Sequence, residues 1–242
     1  MEERSLEQMR QAVDQLRQRM DAAARQAGRS PAEVQLCAAC KTHPAATVAA
    51  SAGLAIDLFG ENHVQELCAN FDAGAYCGKP CHFIGHLQTN KIKKVLGRAA
   101  VIQSVDSARL LLAIEKEAAK LGLRQDILLE VNIAGEASKS GVSPEELWPL
   151  LELCAAQPHI QVRGLMAVPP VNRDDRQNRA DLAAVHRLYV RAGEQGYSNV
   201  RMEILSMGMS GDFENAIREG ATLVRIGTAI YGQRDYGQAR KV

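Results

Sequence analysis

Aromatic residues are scarce in this chain: phenylalanine, tyrosine and tryptophan make up 4% of 242 residues, and there is one tryptophan. A hydrophobic core must therefore be built mainly from aliphatic side chains and alanine. The chain also lacks an excess of one charge, because its formal net charge is +1. This balance argues against a general role on nucleic acids or membrane surfaces, and we expect no nucleic-acid partner.

Long apolar segments are lacking as well. No run approaches the roughly 20 apolar residues that a membrane-spanning helix needs, and the N-terminal stretch has no apolar centre of the kind found in signal peptides. Six cysteines are too few for a disulfide framework in a chain of this length. We therefore expect a soluble, cytoplasmic protein with reduced thiols and no membrane association.

Two groups of cysteine and histidine residues resemble metal ligands. Cys37 and Cys40 are three residues apart, so in a strand they point to opposite faces and cannot easily share a metal ion. The second group lies where a strand runs into a loop, without a second pair at zinc-finger spacing. It comprises Cys77, Cys81, His82 and His86. We expect no metal site.

Strand-like and helical patterns alternate along the chain. A Ser5/Gln8 capping box precedes apolar residues at spacings of three and four, which predicts an N-terminal helix ending at Gly28. Eight strand candidates follow, at 34–40, 56–60, 81–85, 100–105, 126–133, 160–168, 201–206 and 222–227. Helical patterns lie between them, near 45–53, 62–71, 88–96, 106–121, 143–156, 178–195 and 212–219.

This alternation indicates parallel strands joined by crossover helices. Eight units without a break in composition predict an α/β fold that is a single (β/α)₈ TIM barrel with an extra N-terminal helix; an open, doubly wound sheet is the alternative. No linker divides the chain, so we predict one domain over 1–242, with 1–28 packed on the barrel. The apolar stripe of the first helix suits the barrel surface or a dimer seam. We expect a monomer, with a dimer as the alternative.

Lys41 ends the first predicted strand, where the apolar run 34–40 meets Thr42. Partial burial of an ammonium group lowers its pKa and exposes the neutral amine that attacks carbonyl carbons. Many lysines end strands only to reach water, so Lys41 alone carries little weight.

Two turns rich in glycine and hydroxyl residues end the last two predicted strands. Backbone amides and small hydroxyl groups such as those of Ser210, Gly227 and Thr228 suit a phosphate, and in a TIM barrel these loops are the usual phosphate position. Alternatively, the first turn is only an N-cap at Asp212, and Arg225 forms a buried salt bridge. A lysine amine, a phosphate site and an arginine together are what a pyridoxal 5′-phosphate (PLP) site needs.

Seven segments in order, covering about residue 30 to residue 235, resemble the pyridoxal phosphate homeostasis protein family. They are CKTHP (40–44), FGENHVQE (59–66), HFIGHLQTNK (82–91), SKSG (138–141), GLMA (164–167), SMGMS (206–210) and VRIGTAIYG (224–232). That family is similar to the barrel domain of alanine racemase, binds PLP through a Schiff base, and is regarded as a carrier or regulator of the cofactor without established catalytic turnover.

The resemblance implies a role for eight residues. Lys41 would form the Schiff base; Ser210, Gly227 and Thr228 would hold the phosphate; Arg225 would face the pyridine nitrogen; and Asn62, Met166 and Ser206 would line the ring. The implied function is intracellular PLP (vitamin B6) homeostasis with PLP as the cofactor, and delivery to PLP-dependent apo-enzymes is a further expectation.

The chain departs from the family pattern at Cys40, His43 and His63. Where a second lysine is usual this chain has His43, which puts in doubt a neighbouring amine in handing on the cofactor; Lys139 is an alternative acceptor. A racemase-like enzyme remains open as a second function, although racemization needs an acid or base on each face of the ring. A Schiff-base aldolase acting on a phosphorylated sugar is a third, with no special need for Arg225.

Overall fold

Eight parallel strands form a closed barrel in sequence order, from β1 to β8, in the computed structural model. The structure describes residues 4–136, 139–170 and 174–232. The strands are β1 (Gln35–Ala39), β2 (Leu58–Glu61), β3 (Cys81–Phe83), β4 (Val101–Val105), β5 (Gln125–Val131), β6 (Ile160–Ala167), β7 (Val200–Ser206) and β8 (Leu223–Ile226). β8 pairs with β1 and closes the barrel, with Arg225 opposite Cys37. The predicted (β/α)₈ barrel is confirmed, and the open sheet is excluded.

Helices connect the strands on the outside. In the described residues they are α1 (Leu6–Gln26), α2 (Ala45–Ser51), α3 (Val64–Asp72), α4 (Ile92–Val95), α5 (Ala108–Leu121), α6 (Leu147–Ala155), α7 (Asp175–Gly193), α8 (Phe213–Arg218) and α9 (Thr228–Tyr231). Two 3₁₀ turns, Pro31–Glu33 and Thr89–Lys91, complete them. None of these helices combines the length and the apolar character that a membrane crossing requires.

The N-terminal helix covers one side of the barrel. Its capping box is formed as predicted, because the Ser5 N–H donates to Gln8 Oε1 at 2.8 Å and the Gln8 N–H donates to Ser5 Oγ at 3.2 Å. The apolar stripe of α1, which includes Met9, Val13 and Met20, is buried, and α1 packs on α8 and α9. The stripe is therefore covered within the chain.

Several predicted boundaries differ from the structure. The helical pattern at 88–96 is a 3₁₀ turn followed by the single turn of α4. The pattern at 143–156 starts with a turn that the Ser143/Glu146 capping pair closes, and the α-helix begins at Leu147. The third strand ends at Phe83 and the fifth at Val131, because the residues that follow bend into the loops at the barrel mouth. Ser138 and the ends of the predicted domain, 1–3 and 233–242, lie outside the described residues.

The barrel interior is filled in its lower part by apolar side chains. Cys37, Leu58 and Leu223 pack together on one side of Ile204, and a second group packs on its other side. That group is Val101, Leu128 and Met166. The interior is therefore a packed core, and a ligand has room only above it, at the carboxyl ends of the strands.

Candidate functional site

A cavity of about 420 Å³ lies at the carboxyl ends of β1, β2, β7 and β8. Its volume is in the range of roughly 300–1,000 Å³ that small-molecule sites occupy. Six of the eight predicted site residues line it: Lys41, Asn62, Ser210, Arg225, Gly227 and Thr228. The barrel therefore brings together side chains that are nearly two hundred residues apart in the sequence.

Lys41 projects from a tight loop after β1. The Cys40 N–H donates to the Gly60 carbonyl of β2 at 3.0 Å, and the His43 N–H donates back to the Cys40 carbonyl at 3.1 Å. Between them Thr42 has a φ of 70°, a left-handed conformation that is uncommon and unfavourable for a β-branched residue. The loop is thus fixed in one shape on both sides of Lys41.

The same loop is tied to the helix that follows β8. The His43 ring stacks on the Tyr231 ring of α9 with 4.5 Å between ring centroids. The Tyr231 hydroxyl in turn lies 3.0 Å from Ser51 Oγ of α2. His43, one of the departures from the family pattern, therefore packs between the lysine loop and the helix that begins at Thr228.

Asn62 lies just beyond β2 and contributes an unsatisfied acceptor. Its Oδ1 atom is buried and has no hydrogen-bond partner among the described residues, a state that costs on the order of 1–3 kcal/mol unless a ligand supplies a donor. The position of Asn62 depends on Gly85, because a Cβ at residue 85 would lie 2.1 Å from the Asn62 carbonyl oxygen.

The two turns predicted to bind phosphate are shaped by different contacts. In the first, the Asp212 carboxylate accepts a hydrogen bond from the Met209 N–H at 2.7 Å and another from Asn178 Nδ2 at 3.2 Å. Asp212 therefore fixes the loop on which Ser210 lies. In the second, a Cβ at Gly227 would approach the Ala39 carbonyl oxygen to 3.0 Å, so glycine lets the turn lie close to β1.

Arg225 forms the floor of the cavity and is 6% exposed. Its Nη1 donates to Ser206 Oγ at 2.5 Å and its Nη2 to the Ala167 carbonyl at 2.9 Å. Burial lowers the pKa of Arg225, but a guanidinium remains charged in proteins. A carboxylate partner is not among these contacts, so the predicted alternative of a buried salt bridge is replaced by neutral acceptors.

The two remaining predicted residues lie below the cavity. Ser206 is fully buried under Arg225, and Met166 is buried in the barrel interior beside Val101 and Leu128. Neither is among the residues that line the cavity.

Several polar residues of the site were missed in the sequence. Glu61, His82, Gln103 and Glu130 are buried in strands that otherwise read as apolar. For Gln103 the available signal was a polar residue at an inward-facing position of the strand VIQSV. Glu61 faces outward, toward Asn70 of α3 and Tyr76. For Glu130, burial raises the pKa to about 7; Asp106 adds to the rise and Arg225 opposes it.

The relatives of the chain give its family. The family described as "Alanine racemase, N-terminal domain" matches residues 11–235. The pyridoxal phosphate homeostasis protein of Aquifex aeolicus is 40% identical over 219 residues, which cover 90% of this chain and 95% of the relative. The protein of the same name from Pseudomonas aeruginosa is 40% identical over 220 residues, covering 90% and 93%. This chain belongs to the pyridoxal phosphate homeostasis protein family.

A solved structure that is similar to this chain contains PLP. PipY of Synechococcus elongatus, whose structure was determined with PLP bound, is 31% identical. It superposes with a TM-score of 0.76 over 88% of this chain and 100% of PipY.

The residues that line the cavity of this chain suit PLP chemically. PLP carries an aldehyde, a phosphate and a pyridine nitrogen, and the cavity offers an amine at Lys41, small hydroxyl and amide donors in two turns, and a guanidinium at Arg225. The unpaired Asn62 Oδ1 adds an acceptor that a protein group does not use.

A second cavity of about 490 Å³ adjoins the first. Lys41 and Asn62 line both cavities, and the titratable residues that line the second also include His63, His86 and Lys91. Lys139, the alternative acceptor, forms an ion pair with Glu136 at 3.3 Å and is not among the residues lining either cavity. Lys41 thus borders both cavities.

Proposed function

We propose that this chain binds PLP reversibly, as a Schiff base on Lys41, and serves in the homeostasis of the cofactor without catalytic turnover of its own. One observation supports this most directly: the amine of Lys41, the two turns at Ser210 and Gly227, and the Arg225 guanidinium line a single cavity. Binding would join an aldehyde to the amine at one end and a phosphate to the turns at the other.

The covalent step is balanced without any co-reactant. The neutral Lys41 amine adds to the aldehyde carbon, and the aldehyde oxygen leaves as water with the two amine protons. Hydrolysis reverses the step and returns the free aldehyde. The linkage is therefore suited to storage and release.

The other side chains bind and orient the cofactor. We infer that Ser210, Gly227 and Thr228 hold the phosphate and that Asn62 borders the ring. Ser206 and Met166 would support the floor from one layer below.

Arg225 also bears on reactivity. A permanently charged guanidinium facing the pyridine nitrogen disfavours protonation of that nitrogen, which weakens the ring as an electron sink. This supports binding over racemase-like chemistry.

We further propose that the chain acts in the cytoplasm as a single-domain monomer and passes PLP to apo-enzymes. None of the six cysteines forms a disulfide bond, which supports a reducing compartment. The second cavity beside Lys41 supports release in place, because water or an acceptor amine could reach the linkage from that side.

The test is a spectroscopic and chemical one. The purified protein with added PLP should show a visible absorption band that borohydride abolishes, and peptide mass spectrometry should find the reduced adduct on Lys41. Lys41→Ala should lose the adduct, whereas Lys91→Ala, which alters a lysine of the neighbouring cavity, should keep it. An adduct of undiminished yield in Lys41→Ala would show that another lysine carries the cofactor.

Catalysis is tested separately. Incubation of the PLP-loaded protein with L-alanine should give negligible D-alanine. Turnover of about 1 per second or faster, the ordinary range of enzymes, would establish the racemase-like alternative.

A further inference from the structure

A chain of hydrogen bonds crosses the barrel interior beneath the cavity. Arg225 Nη1 lies 2.5 Å from Ser206 Oγ, Ser206 Oγ lies 2.6 Å from Gln103 Oε1, and Gln103 Nε2 lies 2.8 Å from His82 Nδ1. The four residues come from β8, β7, β4 and β3, and all four are buried. The chain thus connects Arg225 to the far wall of the barrel.

Arg225 sets the direction of the first bond. A guanidinium can only donate, so Ser206 Oγ accepts from it, and the Ser206 hydroxyl donates to Gln103 Oε1. With its oxygen used in this way, the Gln103 amide points its Nε2 donor at His82, and His82 Nδ1 must accept. His82 is therefore predicted to carry its proton on Nε2.

The environment of His82 is consistent with that state. Burial, with a smaller effect of the Arg163 charge, lowers the pKa of His82 to about 4. The ring is then neutral near pH 7, and its Nδ1 keeps the lone pair that Gln103 needs.

A chain of buried polar groups that all have hydrogen-bond partners fixes the orientation of its members. Just below it, the same barrel interior is filled by apolar side chains such as Leu58 and Leu223, so the fold itself does not demand buried polar groups here. Replacing a buried polar network by apolar residues is often neutral for stability, whereas a fully satisfied network specifies one arrangement. The arrangement specified here is that of the Arg225 guanidinium, which a second acceptor, the Ala167 carbonyl, holds at Nη2.

We propose that Gln103 and His82 are positioning residues that act through Ser206 to hold the Arg225 guanidinium toward the pyridine nitrogen of PLP. The proposal deepens the function proposed above and rests on it. Neither residue lines the cavity, so their effect on the cofactor is indirect.

The first test needs no cofactor. Nitrogen-15 NMR of histidine-labelled protein should show one imidazole with a bare Nδ1 and a protonated Nε2, and this signal should vanish in His82→Asn. Gln103→Glu places an acceptor opposite Nδ1, so His82 should then be protonated on Nδ1. A parent protein with the proton on Nδ1 would overturn the proposal, because the bond directions derived from Arg225 would be reversed.

The second test measures the effect on PLP. Gln103→Leu removes the chain at similar volume. It should weaken PLP binding about tenfold, which is about the net contribution of one hydrogen bond, and should shift the absorption band of bound PLP. The control is Gln125→Leu, which removes another buried glutamine. Gln125 lies at the start of β5 and donates to the Asp126 and Ala100 carbonyls. Its affinity should stay within about twofold of the parent, since its contacts are remote from Arg225.

Unchanged affinity and spectrum in a folded Gln103→Leu protein would overturn the proposal. Should that variant fail to fold, Gln103→Met supplies the same comparison, because its uncharged side chain has a similar length and removes both the acceptor for Ser206 and the donor to His82. A parent protein that shows the expected His82 tautomer but binds no PLP would refute the proposed function and leave the hydrogen-bond chain standing.

Discussion

The thiol of Cys40 donates a hydrogen bond to the buried carboxylate of Glu61 at 3.1 Å. This contact joins the residue before Lys41 to the residue before Asn62. The same Glu61 oxygen accepts from Asn70 Nδ2 at 2.7 Å and from the Tyr76 hydroxyl at 3.2 Å. One carboxylate thus holds the bases of two loops that form the cavity.

Glu61→Ala should destabilise the protein by about 3 kcal/mol or more, because it leaves three buried donors without an acceptor. Urea unfolding measures this change. Glu61→Gln is the matched control, since its amide oxygen can still accept, and we expect a smaller loss. A Glu61→Ala protein as stable as the parent would contradict the role of this carboxylate.

The contribution of Glu61 to the free energy of unfolding depends on pH with a defined sign. Burial raises the pKa of Glu61, and the hydrogen bonds from its donors only partly oppose this. Because the folded-state pKa lies above the unfolded value, the contribution of Glu61 to stability is greatest at low pH and is lost as the pH rises through the folded pKa. Glu61→Gln should therefore compare more favourably with the parent at pH 8 than at pH 5.

Glu130 should dominate the stability profile near neutral pH. Its pKa of about 7 in the folded chain exceeds the ordinary 4.5, so the parent should lose about 2.5 kcal/mol of unfolding free energy between pH 5 and pH 8 from this group. In Glu130→Gln that loss should be absent. Denaturant unfolding at both pH values tests this, with the exposed Glu145→Gln as a control that should keep the parent profile.

Gly85→Ala should damage the site through the backbone of Asn62. The added Cβ would lie 2.1 Å from the Asn62 carbonyl oxygen, so the β2 loop must shift, at a cost of about 3 kcal/mol, and PLP affinity should fall. Gly53→Ala is the control, because nothing lies within 4 Å of its Cβ position. Equal thermal stability and PLP affinity in the two variants would refute the close approach.

Thr228→Val should weaken PLP binding about tenfold while leaving pyridoxal binding unchanged. Valine has nearly the same volume as threonine but lacks the hydroxyl donor. A hydrogen bond to a charged phosphate contributes about 1.5–3 kcal/mol. Pyridoxal lacks the phosphate, so it provides the internal control. Equal weakening of both ligands in an absorption titration would place Thr228 elsewhere than at the phosphate.

Much of the site could be expected from local sequence. Lys41 stands out because it ends an apolar run, and the Ser210 and Gly227 turns stand out by their small residues. The barrel brings these three to one cavity, and their roles toward PLP stay predictions. The ends of helices and strands were less predictable. The third strand, for example, ends at Phe83, because Gly85 packs against the backbone of Asn62 beyond the neighbouring strand β2, and a local sequence pattern does not contain that contact.

The amino-acid sequence by itself determined the (β/α)₈ class, because hydrophobic periodicity and turn chemistry are local properties that a single chain segment expresses. It also determined which strands end in reactive groups. Only the tertiary structure decided that Ser206 and Met166 lie below the cavity and that His82 and Gln103 reach Arg225 through Ser206. Those contacts depend on the register and tilt with which distant strands close the barrel, and no local pattern encodes the distance between atoms on β3 and β8.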